Sequence, residues 1–156
     1  MKYRQLTKEQ FLELHQEFAE FLATQQIDAK EWANIKKENP SMAEEELNIF
    51  SDVVWEDVLS KTEYLEHISE GHINLFKCQS DLIIRIYIKL KNNNKSFLNT
   101  DDFQWFLKNP LNEQFDYFKA EKKYTKERNF ELFELIEMGS QISKGGLFNA
   151  INQLIG

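Results

Sequence analysis

The chain is predicted to be α+β, with an amino-terminal assembly of three helices packed on a small antiparallel sheet of three or four strands, followed by carboxy-terminal helices. Three observations predict it. Helix start signals recur through residues 1–61, the apolar period then changes from helical to alternating, and helical apolar stripes return near the end.

In Leu6-Thr7-Lys8-Glu9-Gln10-Phe11, Thr7 sits at an N-cap, Gln10 closes a capping box, and Leu6 is placed to staple onto Phe11. Phe11, Leu14, Phe18, Phe21 and Leu22 then follow at steps of three and four and form one stripe, with Glu9, Glu13, Glu17 and Glu20 on the wet side. His15 lies on the margin of that stripe as a half-buried boundary residue. The same grammar recurs with Asp28 and Glu31, where Ile27 can staple to Trp32, and this second helix stops before Pro40. Ser41 and Glu44 form the third box. Ala43, Leu47, Phe50, Val54 and Val58 give that helix its inner stripe as far as about Ser60.

After Lys61, residues 64–68 and 73–78 flank Ser69-Glu70-Gly71-His72 and read as a hairpin. Residues 82–90 are the clearest strand, with Ile84, Ile86, Ile88 and Leu90 on one face and Arg85, Tyr87 and Lys89 on the other. Its apolar face needs a helical cover. Thr100-Asp101-Asp102 opens a short helix carrying Phe103, Trp105, Phe106 and Leu107. Residues 114–123 fit either a helix or a fourth strand, and the alternation favours the strand. Residues 126–138 read as a helix with Phe130, Phe133 and either Ile136 or Glu137 inward, stopped by Gly139, and residues 146–155 as a last helix.

A length of 156 residues suits one domain with a real core, its helical part ending at residue 61 and its sheet part running from 62 to 156. Thirteen Phe make that core aromatic. One cysteine, Cys78, rules out an internal disulfide and a cage of two or more thiolates, and fits a reducing compartment. The opening Met1–Gln10 has no apolar leader and no apolar run approaches bilayer length, so a cytoplasmic protein without membrane contact is expected.

Charge is unevenly distributed along the chain. Residues 38–70 carry ten carboxylates against the single cation Lys61, whereas residues 82–97 carry Arg85, Lys89, Lys91 and Lys95 and no carboxylate. Residues 119–128 are again basic. An acidic third helix, with Glu45, Asp52 and Glu56, and a basic sheet face, with Lys89, Lys91, Lys119, Lys122 and Lys123, together outline an interaction surface for a protein partner or a second copy. Tyr87, Tyr117 and Tyr124 interleave with those lysines in a pattern that also suits stacking of bases and neutralisation of phosphates. The net charge of −7 works against nucleic acid as a partner.

Catalytic signatures are missing. There is no nucleophile elbow, Walker loop, dinucleotide fingerprint or HExxH helix, and Gly145-Gly146 lacks the spacing of a phosphate cradle. His67 and His72, with Glu70 between them, resemble part of a metal site across the hairpin tip, but two imidazoles fall short of the three or four ligands that zinc requires. Exposed turn residues are expected there. Cys78 reads as a buried structural thiol, and pairs such as Asp52 with Glu56 lie on a solvated helix that raises no carboxyl pKa. Neither cofactor nor catalytic residue is assigned.

The stretches Lys2–Phe11, Gln25–Trp32, Val54–Leu59, Ala120–Asn129 and Ile142–Gly145 together resemble a family of small acidic proteins from Bacteroidetes, a domain of unknown function. The resemblance spans most of the chain and implies a cytoplasmic bacterial protein of one domain. It carries no functional residue across. The leading expectation is therefore a non-catalytic protein-interaction domain, with nucleic-acid binding as the second reading and a metal-dependent or hydrolytic enzyme as the third.

Overall fold

The computed structural model describes residues 1–156, in two compact units, Met1–Ser60 and Lys61–Gly156. The fold is α+β, with helices before and after the strands of an antiparallel sheet in the sequence.

The first unit contains α1 (Lys8–Glu13), α2 (His15–Ala23), α3 (Ala29–Glu38) and α4 (Pro40–Lys61), whose last residue opens the second unit. The capping box forms as predicted, with Thr7 and Gln10 exchanging side-chain to backbone hydrogen bonds. The expected single first helix is two, because Leu14 leaves helical geometry at φ −102° and ψ 22°. Phe11, Phe18 and Phe21 all reach the Phe50 ring, at 6.1, 5.0 and 5.4 Å between centroids, and Trp32 meets Phe18 edge-on at 5.2 Å. His15 is exposed rather than half-buried, its Nδ1 3.0 Å from the Leu12 carbonyl oxygen.

Two expectations for α4 are corrected. Its cap is Asn39, whose Oδ1 accepts from the Met42 N–H at 3.3 Å, and not Ser41. Pro40 takes the first helical position, where a missing N–H costs nothing. The inner stripe is also rotated. Ala43 and Phe50 are buried as expected, but Glu46, Ser51, Trp55 and Leu59 complete the set while Val58 is exposed. Apolar residues on more than one side of a long helix blur a stripe read from spacing alone.

The second unit is built on five strands, β1 (Tyr64–Ile68), β2 (His72–Cys78), β3 (Leu82–Leu90), β4 (Phe115–Lys123) and β5 (Gln141–Ser143), in the order β4-β3-β2-β1-β5 with every pair antiparallel. Residues 114–123 resolve to strand. The short β5, which no periodicity announced, pairs Ile142 with Leu65 on the far edge. The remaining helices are α5 (Thr100–Lys108), α6 (Arg128–Glu137) and α7 (Gly146–Ile155).

One face of the sheet is the core face. Ile73, Leu75, Ile86, Ile88, Leu90 and Phe115 project from it into a cluster with Phe97, Phe106 of α5, and Phe148 and Ile151 of α7. Phe97, Phe106 and Phe115 interlock at 4.8 to 5.9 Å between ring centroids. The loop before α5 is fixed as well, since the Phe97 N–H donates to the Glu70 carbonyl and the Ser96 N–H to the Asp102 carboxylate.

The opposite face is covered only toward one end. There α6 is anchored by Arg128, whose guanidinium donates to the carbonyls of Thr62, Cys78 and Gln79. Within α6 the buried residues are Asn129, Leu132 and Phe133. Phe133 agrees with the expected stripe, Leu132 was missed, and Phe130 and Ile136 are only half-buried.

Candidate functional site

The uncovered part of that second face is the candidate site. Strict alternation puts His72 and Asn74 of β2, Arg85, Tyr87 and Lys89 of β3, and Phe118, Ala120 and Lys122 of β4 on the side away from the core. The register sets Tyr87 between Asn74 and Phe118, with Lys89 beside His72. An aromatic row results. His72 meets Tyr87 edge-on at 5.5 Å, Tyr87 meets Phe118 at 5.9 Å, and Phe118 is 55% exposed although large and apolar.

Arg85 is the best-positioned cation of the face. Asn74 Oδ1 accepts from its Nε at 2.8 Å and its Nη2 at 2.6 Å, and the guanidinium stands 5.2 Å from the Tyr87 ring centroid. No carboxylate pairs with it, so Nη1 is directed by its neighbours without being neutralised by them. Lys89 is likewise exposed without an ion pair, because Asp116 across the strand pairs with Lys91 instead, at 3.4 Å.

Beside the row runs a groove of about 480 Å³ between α6 and strands β2 to β4. Phe76, Ile83, Leu135 and Met138 give it apolar walls, and Arg85 and Lys122 stand on its sheet side. Across it, Glu131 pairs with Lys122 at 3.4 Å and Glu134 with Lys126 at 3.0 Å. Glu131 and Glu134 are thus answered by lysines, while neither Arg85 nor Glu121, which also lines the groove, is held in an ion pair.

The residues predicted as an interaction surface are divided between the two units. In α4, Asp52 accepts from the backbone N–H groups of Lys2 and Tyr3 at 2.7 and 2.9 Å, Glu56 pairs with Lys2, and Glu45 is exposed. Glu44 and Glu46 accept from Gln5 and Gln25. Much of the acidity of α4 therefore fastens its own unit. Among the basic residues, the register separates what spacing had grouped. Lys89 and Lys122 lie on the open face, whereas Tyr117, Lys119 and Lys123 stand opposite Ile88, Ile86 and Leu82 on the core side. Tyr117 donates to the Pro110 carbonyl, and Tyr124 donates to the Gln79 carbonyl at 2.9 Å.

His67 and His72 take separate roles, His67 against Gly139 and His72 against Tyr87. No three His, Cys, Asp or Glu side chains converge as metal ligands. Cys78 is a buried free thiol whose pKa is pushed up to about 12 by burial, with the Arg128 guanidinium acting the other way. Burial also raises Tyr117 and Tyr124 to about 12.

Those shifts set an alkaline limit. In the unfolded chain the thiol and phenols release their protons near 9.0 and 10.0, while the folded protein retains them to about 12. Their contribution is complete below pH 9 and is lost as pH rises from there toward 12, because the unfolded state then binds fewer protons. The urea midpoint should fall steadily between pH 9 and pH 11; a flat midpoint over that range would show that these groups are open to solvent.

Strand order and a one-sided core define the molecule as an α+β protein whose second sheet face exposes rings and an arginine that no ion pair holds. A family model matches residues 1–156, and the chain belongs to that family, DUF6495, a family of unknown function. No curated protein and no solved structure matches it. No helix is long and apolar enough to cross a membrane.

Proposed function

We propose that the chain is a non-catalytic binding domain that holds a partner protein on the open face of β2, β3 and β4, the partner presenting an acidic segment with an apolar anchor. The observation that carries this reading is Arg85, oriented by Asn74 and Tyr87, held in no ion pair, and standing where the aromatic row meets the groove. Aromatic residues and arginine are the side chains that most often dominate interface energetics. A carboxylate on the partner completes the fork that Asn74 leaves open, and an apolar side chain fills the space between Phe76, Ile83 and Leu135. The single buried thiol supports a reducing, cytoplasmic setting.

The same rings support a second reading, single-stranded nucleic acid, since exposed aromatics beside lysines on an open sheet are a stacking platform. Fluorescence anisotropy separates the two. A labelled peptide of alternating Asp and Glu around one Trp should bind the wild-type chain and lose at least about tenfold in affinity with Arg85→Glu. Salt-sensitive binding of an oligothymidine in place of the peptide would favour the second reading. Binding of neither would contradict both.

A further inference from the structure

Strand β4 ends the sheet, and its outer edge is a long unpaired row of backbone donors and acceptors. Which groups form that row follows from a single bond. The Lys91 N–H donates to the Gln114 carbonyl at 2.8 Å, which places the even-numbered residues of β4 in the hydrogen-bonded pairs with β3. The N–H and C=O groups of Lys119, Glu121 and Lys123 therefore point outward, where nothing else in the chain bonds them. All the residues from Phe118 to Lys123 are exposed, and the strand contains neither proline nor bulge.

We propose that two copies of the chain join edge to edge through β4, antiparallel, with the two Ala120 residues facing each other on the two-fold axis. The register is chosen by charge. A symmetric pairing that joins the outward groups of both strands can be centred on Lys119, on Ala120 or on Glu121. Centring on Lys119 sets lysine against lysine, and centring on Glu121 sets carboxylate against carboxylate. Centring on Ala120 sets Lys119 of each copy opposite Glu121 of the other, Tyr117 opposite Lys123, and Phe118 opposite Lys122. Each charge then meets its opposite or a ring. Lysines on an edge usually repel a second strand. Here the lysine and glutamate alternate so that, of these three registers, only the one centred on Ala120 sets no like charges opposite each other. This contact is independent of what the open face binds.

Two measurements on the full chain test the contact and its register. By sedimentation equilibrium the wild type should be dimeric at about 100 µM, and Lys119→Glu or Glu121→Lys alone should weaken the dimer at least about tenfold. The double variant Lys119→Glu with Glu121→Lys restores opposite charges and should recover it. Under mild oxidation Ala120→Cys should form a covalent dimer, because facing residues of a non-hydrogen-bonded pair lie about 4.5 Å apart at Cα, whereas Phe118→Cys should not. A monomeric wild type, a dimer indifferent to both single reversals, or equal cross-linking at the two positions would overturn the proposal.

Discussion

Arg128→Ala is expected to destabilise the protein by about 3 kcal/mol, more than any charge substitution on the open face. The guanidinium is the tie between α6 and the end of β2. Its Nη2 donates to the Thr62 carbonyl at 2.5 Å and the Cys78 carbonyl at 3.1 Å, its Nε to the Gln79 carbonyl at 3.1 Å, and its Nη1 to Asn129 Oδ1 at 2.7 Å. Thr62, Cys78 and Asn129 are buried, so truncation leaves acceptors that water does not readily reach. Tyr124 still donates to Gln79, but to that carbonyl alone. Arg128→Lys should recover less than half of the loss, since one ammonium cannot span acceptors that a planar fork reaches together. Urea unfolding followed by circular dichroism measures both. A change below about 1 kcal/mol for the alanine variant would mean that the fork adds little to the sheet's own stability.

Gly145→Ala should cost roughly 3 kcal/mol, through two effects at one position. Gly145 caps α7 in the left-handed region at φ +85°, a conformation that side chains disfavour. A Cβ there would lie 2.6 Å from Cδ2 and Cε2 of the Tyr64 ring, which is itself packed 5.7 Å from Phe148. The ring has little room to yield without disturbing the core. The adjacent Gly146 is the control, because a Cβ added to it meets nothing within 4 Å. Gly146→Ala should be neutral or slightly stabilising, since alanine loses less backbone freedom in a helix. Equal melting temperatures for the two variants would contradict this account of the turn into α7.

Much of the fold was legible because local signals agree with the tertiary structure. The box at Thr7, the alternation of residues 82–90 and the span of α7 each combine a start signal or a period with a matching burial pattern. Where reading failed, either a competing local signal or a long-range pairing was the cause. Ser41 and Glu44 satisfy the local grammar of a cap, yet Pro40 fits the first helical position and Asn39 supplies the nearer acceptor. Three residues of β5 are too few to show a period, and β5 exists as a strand through its pairing with β1.

The candidate site was legible by half for the same reason. Arg85, Tyr87 and Lys89 share a face by alternation within one strand, which sequence reveals. That Phe118 joins them while Tyr117 and Lys119 do not depends on the register between β3 and β4, which is fixed across the intervening loop and helix. The signal was present in Phe118-Lys119-Ala120, where a large exposed ring alternates with a lysine, but its phase is invisible without the partner strand. Asn74 as the orienting partner of Arg85 depends equally on the register of β2.

The claim that the open face of β2, β3 and β4 is where this molecule binds is tested most directly by amide chemical-shift mapping during titration with the acidic tryptophan peptide. The account predicts that the shifts concentrate at Asn74, Arg85, Tyr87, Lys89 and Phe118 and along the groove side of α6. Shifts centred on the acidic helix α4, or spread evenly over the chain, would contradict it.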